Sequence, residues 1–325
     1  MKLFYAAQNS EQPSFSDRFN QWLWPQLWPA IFEQDTSATF ICSGTALSNT
    51  LLQQIAATDQ LIVFGTGTAE QQFLNSLPGR CKVYCVRGPF SARLLGLSAH
   101  RAITDSSLLV AQVVNSDLEA SKPREACSFM PHVDSADAAA ERWQQICQQA
   151  NIRYINPHDP IETVIEAINT SQLLLTEVMQ AAVIADAMRV NWIPVKTSPR
   201  INTFSWQDWC ASMRLPYLPY RIPPLAAYPR YARGVRTHFC SVRHWLRAGL
   251  ENATTTVQYA LLLEEEAIVR RLKIIKEQRS YLSADDMFAQ RLKELSTCFG
   301  GLMYSVTHPA QPGYSRLTLV SSPSH

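Results

Sequence analysis

Glycine is scarce in this chain, 11 of 325 residues. That scarcity argues against glycine-rich phosphate loops and repetitive β architectures. No GxxxxGK(S/T), HExxH or GxSxG segment occurs. A P-loop nucleotidase, a zinc protease and a nucleophile-elbow hydrolase are thereby set aside. Cysteine pairing is missing too. Cys42, Cys81, Cys85, Cys127, Cys147, Cys210, Cys240 and Cys298 form no CxxC unit and have no His at ligand spacing. A structural zinc site is not expected, and thiols set in apolar runs read as buried and free. No apolar run approaches the ~18 residues needed to cross a bilayer. The run at residues 1–8 is too short for a secretion signal, so the expected compartment is the reducing cytoplasm. An excess of one charge is also absent: 29 Lys and Arg face 27 Asp and Glu, a net of +2. That balance disfavours a generic nucleic-acid binder.

What is present is core-forming material, 46% hydrophobic and 17% charged. At about 150 residues per domain the length suggests roughly two domains. Short apolar runs at 3–6, 39–43, 61–65, 82–87 and 102–104 alternate with helix-like stretches, as strands covered on both faces do. A polar stretch at 119–125 with one proline reads as a linker. The pattern restarts with strands at 127–130, 152–155, 173–176 and 192–195, and helices at 135–150, 160–170 and 179–189. Such alternation predicts an α/β protein with two doubly wound parallel-sheet lobes. Three segments follow: 1–118 as an N-terminal lobe, 119–205 as a C-terminal lobe, and 206–325 packing on both. The last is aromatic and proline-rich at first, then helical over 253–279 and 284–298, with Ser283 as N-cap and Asp285-Asp286 in the first turn.

Ligands of open α/β sheets bind beyond the carboxyl ends of strands, so the residues after each run are the ones to weigh. Arg87 ends an apolar strand, where an unpaired cation is costly. It is either an anion clamp or half of an ion pair. Pro89 suits a first helical turn and Gly96 a position just past a helix end. Phe64-Gly65-Thr66-Gly67 lacks the third glycine of a dinucleotide fingerprint, because position 70 is Glu70, and reads as a tight strand-to-helix turn. His132 follows one strand of the second lobe. Glu177 and Gln180 follow another, at a helix start suited to anions. His158 and Asp159 sit in a proline-bracketed turn and suit capping.

Taken in order, these pieces resemble the polysaccharide pyruvyl transferase family, and within it the succinoglycan type. The resemblance runs over residues 1–215. It is carried by Asp17-Arg18-Phe19-Asn20-Gln21-Trp22-Leu23-Trp24-Pro25, Phe64-Gly65-Thr66-Gly67, Val86-Arg87-Gly88-Pro89 and Ile103-Thr104-Asp105 in the first half. Phe129-Met130-Pro131-His132, Ile184-Ala185-Asp186-Ala187, Trp192-Ile193-Pro194-Val195 and Trp206-Gln207-Asp208-Trp209 carry it in the second. The resemblance implies a GT-B-like pair of lobes, 1–118 on the acceptor side and 119–205 on the donor side, to which the helical C-terminal extension is added. It implies transfer of pyruvate as a ketal from phosphoenolpyruvate, a donor substrate rather than a cofactor, to a sugar of a lipid-linked repeat unit. No metal is expected. Two departures stand out. Where the family carries Asn-Phe-Gly-Asp this chain has Ser14-Phe15-Ser16-Asp17, and where the family carries His-Gly it has Gln180-Ala181. Glutamine donates hydrogen bonds but supplies no proton near neutral pH. The proton-handling candidates are therefore Glu177, His132 and Asp17, and the substrate-binding candidates are Arg87 and Gln180 for the donor anion, with Gly65, Thr66, Gly67 and Asp105. A nucleotide-sugar glycosyltransferase and a catalytically impaired assembly protein are the competing classes.

The +2 balance hides a polarity. Between Asp208 and Glu251 no acidic residue occurs, while seven arginines do, leaving −5 for the rest of the chain. Arg230, Arg233, Arg236, Arg243 and Arg247, with interleaved tyrosines and Trp245, suit either a solvated face or a patch for anionic lipid or an acceptor pyrophosphate at the inner face of the membrane.

Overall fold

A strand covered on both faces needs apolar side chains on both, so its sequence is a short, continuous apolar run. The computed structural model describes residues 1–4, 14–29, 38–44, 47–48, 55, 60–68, 77, 79–117, 124, 126–197, 201–223, 225 and 253–308. Within them the apolar runs form two sheets. The first contains β1 (Lys2–Leu3), β2 (Ala38–Ile41), β3 (Gln60–Thr66) and β4 (Cys81–Val86), ordered β1-β2-β3-β4. The second contains β5 (Ala126–Met130), β6 (Arg153–Tyr154), β7 (Ser171–Thr176), β8 (Asn191–Lys196) and β9 (Tyr220–Arg221), ordered β6-β5-β7-β8-β9. All pairs within these sheets are parallel, which fixes the α/β class. The first sheet grows in one direction, each new strand joining the same edge. The second reverses: after β6 the chain returns to the other side of β5, which makes β5/β7 a switch point where a crevice opens beyond the strand ends.

The helices are α1 (Phe15–Leu27), α2 (Pro89–Leu94), α3 (Val110–Asp117), α4 (Val133–Ala150), α5 (Ile161–Asn169), α6 (Met179–Ala187), α7 (Thr203–Ser212), α8 (Ala253–Ile275) and α9 (Asp285–Thr307). α6 is almost uniformly apolar, as a helix enclosed on all sides must be, and all nine of its residues are buried. It packs on β8 and also on the 3-10 turn Ser106–Leu109 that follows the first sheet, so it forms the seam between the two sheets. A single core runs through that seam. Within it Trp24 stands edge-on to Phe40, centroids 4.9 Å apart, and Phe64 meets Phe299 of α9 at 5.5 Å. Helix α8 packs on α4, and Arg142 pairs there with Glu265 at 2.6 Å.

Several expectations are corrected by long-range contacts. The 102–104 run forms one bridge, Ala102 to Val86, because the 3-10 turn Ala99–Arg101 precedes it and Asp105 at once caps the next turn. Ser283 is not the N-cap of α9. Ala284 holds that position, and the Ser283 N–H and hydroxyl both donate to the buried Asp186 instead. Gly65 lies inside β3, at an irregular register with β4, rather than in a turn after it. Its φ of +64° and its approach to Ser106 leave no room for a side chain: a Cβ would sit 2.6 Å from the Ser106 nitrogen. Pro89 and Gly96 stand where expected, in the first turn of α2 and at φ +63° just past its end. Of the 119–125 stretch only Arg124 is described, and its guanidinium donates to the carbonyls of Met188 and Arg189.

Cys42, Cys85, Cys147 and Cys210 are buried, and the described thiols are all free. Burial pushes the Cys127 and Cys147 thiols up to about 12 and raises Cys42, Cys81, Cys85 and Cys210 as well. Cys298 of α9 is lowered, chiefly because Cys85 donates a hydrogen bond to it. Since the thiolate is the nucleophile, iodoacetamide at pH 8 should label Cys298 ahead of the other described thiols. Peptide mass spectrometry reads the order, and faster labelling of Cys127 or Cys147 would refute it.

Candidate functional site

A cavity of about 190 Å³ lies where the carboxyl ends of β2 and of β5 and β7 meet. Its walls include Asp17 from α1, Ser43 and Gly44 after β2, His132 after β5, and Glu177 and Gln180 after β7. Four of the residues singled out by sequence, Asp17, His132, Glu177 and Gln180, are thus gathered around one space. Asn202 and Trp206 of the α7 region close another side. His132 and Glu177 stand at the β5/β7 switch point, where strand order alone directs a ligand.

Helix α1 starts with a reciprocal capping box. The Ser14 hydroxyl accepts from the Asp17 N–H at 3.1 Å, while Asp17 Oδ2 accepts from the Ser14 N–H at 3.3 Å. This fixes the Asp17 carboxylate at the cavity edge. In the same helix Arg18 donates to the carbonyls of Pro157, His158 and Asp159, tying α1 to the 156–160 turn. His158 and Asp159 are held within that turn by Asn156 and by Asp137 of α4, a structural arrangement.

Glu177 is 1% exposed and accepts four donors: the His132 N–H at 3.1 Å, Ser135 Oγ at 2.8 Å, the Thr197 N–H at 2.7 Å and Thr197 Oγ1 at 2.6 Å. It clamps the ends of β5 and β8 and the first turn of α4 together. An amide in its place would turn an NH2 toward donors and leave them unsatisfied, at about 1–3 kcal/mol each. Glu177→Gln should therefore lower unfolding free energy by at least ~1 kcal/mol in urea titration. An unchanged midpoint would show that the clamp is not needed.

His132 caps α4 through Nδ1, which accepts from the Asp134 N–H at 3.3 Å. Its side chain is 43% exposed, and it presents an imidazole to the cavity. Helix α6 has Val178 at its N-cap and no side-chain cap bond, so the positive end of that helix borders the cavity uncovered.

The remaining candidates lie behind the wall. Arg87 is fully buried and paired with the fully buried Asp208 at 3.2 Å, so of the two roles weighed for it the geometry shows the ion pair. Its other nitrogens donate to the carbonyls of Thr68 at 2.8 Å and Gly44 at 3.3 Å. Thr66 also donates to the Gly44 carbonyl, at 3.1 Å. Gly67 lies against the Arg87 guanidinium, with no room for a Cβ. Arg87 and Thr66 thereby hold Gly44, which does line the cavity. Asp105 is fully buried and caps the Ser106–Leu109 turn. Burial raises its carboxyl above the usual range, against the pull of Arg87 and the Ser107 N–H. Arg230, Arg233, Arg236, Arg243 and Arg247 lie outside the described residues. Among the described residues no group of His, Cys, Asp and Glu could hold a metal ion, and no helix is long and apolar enough to cross a membrane.

Sequence reasoning missed Asn20, Ser43, Ser107 and Asp208 as members of this region. Asp208 lies in the aromatic segment Trp206-Gln207-Asp208-Trp209, but nothing local marks a carboxylate as the partner of an arginine 121 residues away.

No family model and no solved structure matches the chain. Among curated proteins, the Succinoglycan biosynthesis protein ExoV of Rhizobium meliloti (strain 1021) is 33% identical over 239 residues, which cover 73% of this chain and 72% of that protein. With that share of the chain matched at that identity, it belongs to the succinoglycan-type polysaccharide pyruvyl transferase family.

Proposed function

We propose that the protein transfers a pyruvyl group from phosphoenolpyruvate to two hydroxyls of a saccharide in exopolysaccharide synthesis, in a GT-B-like cleft between its two sheets. The observation that carries this reading is the cavity itself. It sets a carboxylate, an imidazole and an uncovered helix start around one space, in a chain related to a succinoglycan biosynthesis protein.

Ketal formation asks for those parts. The C2–O bond to phosphate breaks, two sugar oxygens bond to C2, and the methylene carbon gains one proton to become a methyl. The second hydroxyl proton leaves with phosphate. The start of α6 offers backbone N–H groups and a positive end to the carboxylate or phosphate of the donor. His132 is placed to deliver the proton to the methylene carbon, and Asp17 to receive one from a sugar hydroxyl. Glu177, saturated by four donors, acts as a positioning residue that fixes the backbone of His132. Arg87 acts one layer back, through Gly44. Incubation of the full chain with phosphoenolpyruvate and lipid-linked saccharides should release phosphate and yield an acceptor heavier by one ketal. Binding of a nucleotide sugar in place of phosphoenolpyruvate would instead support a glycosyltransferase. Donor binding with no turnover on any acceptor would support an assembly role.

A further inference from the structure

The direction of every hydrogen bond around Gln180 follows from one indole. The Trp24 N–H can only donate, and it points at one side-chain atom of Asn20 at 3.2 Å, so that atom is Oδ1. Asn20 then donates through Nδ2 to the Ser43 carbonyl at 3.1 Å, as observed. The Ser43 hydroxyl lies 2.5 Å from the same Oδ1, which has only lone pairs to offer, so Ser43 spends its proton there. Toward Gln180 the Ser43 oxygen is left as an acceptor, and the Gln180 atom 3.0 Å from it must be Nε2. That nitrogen also donates to Ser107 Oγ at 2.8 Å. Both amide hydrogens of Gln180 are thereby engaged by the first-sheet side of the seam. What remains is Oε1, buried and with no hydrogen-bond partner among the described residues, on a side chain that lines the cavity and is 2% exposed as a whole.

An unpartnered carbonyl oxygen repels an anion and attracts a donor. We infer that Gln180 determines specificity by accepting a hydrogen bond from one hydroxyl of the saccharide, and that it does not bind the anionic donor. The inference rests on the transfer reading above and reassigns this residue within it. The backbone start of α6 takes the anion, and Oε1 of the helix's second residue takes the hydroxyl. This sets the two reactants side by side.

The test titrates the full chain with a panel of methyl hexopyranosides and their monodeoxy derivatives. The unsubstituted protein should favour one parent glycoside over one of its deoxy forms by roughly 10- to 100-fold in Kd, since a buried oxygen left unpaired carries the full desolvation cost. Gln180→Met should bind that pair equally. Ser107→Ala, which leaves Oε1 in place, should keep the preference. In case Gln180→Met fails to fold, the 13Cδ resonance of Gln180 in the unsubstituted protein provides the second readout: it should move with the parent glycoside and not with the deoxy form. A preference that survives in Gln180→Met, an unmoved 13Cδ resonance, or loss of inorganic phosphate binding in that variant would overturn the assignment to Gln180 alone. No binding of any glycoside by the unsubstituted protein would instead remove the transfer reading as a whole.

Discussion

Asp208→Ala should destabilise the chain by about 3–5 kcal/mol, the range for removing one partner of a buried ion pair. Arg87 and Asp208 are each 0% exposed, and no water can take over the lost partner without opening the packing around them. Asp208 does more than neutralise Arg87. Its Oδ1 accepts the N–H groups of Phe90 at 2.9 Å and Ser91 at 3.1 Å, and its Oδ2 accepts the Ser91 hydroxyl at 2.5 Å. Helix α2 has Gly88 at its N-cap and no side-chain cap of its own, so a carboxylate from α7 caps it from across the fold. Gly88 allows this approach, since a Cβ there would overlap the Asp208 carbonyl oxygen. Asp208→Ala therefore strands a cation and three donors together. Arg87→Met is the milder change, since Asp208 keeps its three donors. Against a total stability of about 5–15 kcal/mol for a typical domain, the alanine variant should be partly unfolded near 37 °C. Urea titration followed by tryptophan fluorescence reads the loss, with Trp206 and Trp209 in the same helix as reporters. A loss below ~1 kcal/mol would mean that the pair is dispensable.

The same contact marks the limit of what can be read along the chain. Strands β1 to β8 were legible because a strand buried on both faces writes itself as a local apolar run, whereas the two-residue β9 in the aromatic segment was not. Pro89 and Gly96 were legible because backbone limits act on single residues. Arg87 announced a problem, a cation ending an apolar strand, but not its solution. The choice between clamp and ion pair depended on a residue brought close by tertiary packing. Ser283 failed for a related reason. Local capping chemistry favoured it, and a buried carboxylate, Asp186, bound its hydroxyl instead. For the candidate site, strand-end position located His132, Glu177 and Gln180 at the cavity, and the family resemblance located Asp17. What each can do was not legible. The four donors on Glu177 come from segments around residues 132–135 and 197, and the direction of the Gln180 amide is set by Trp24, 156 positions earlier in numbering.

His132→Asn should cut kcat by roughly 10²- to 10⁴-fold, the usual contribution of a positioned proton donor. The substitution separates chemistry from structure. His132 caps α4 by accepting the Asp134 N–H, and asparagine is among the best capping residues, so its side-chain oxygen can keep that bond. The backbone N–H that Glu177 receives is retained as well. An amide cannot exchange a proton near neutral pH, whereas an imidazole can. Stability should therefore stay within ~0.5 kcal/mol of the parent, the KM for phosphoenolpyruvate should change little, and the deficit should fall on kcat. Glu177→Gln supplies the contrast. It loosens the clamp that holds the His132 backbone, so its activity loss should accompany a loss of stability. If His132→Asn kept kcat within threefold, the imidazole would be a cap and nothing more. The proton would then have to come from Asp17, the other carboxylate on which the transfer reading relies.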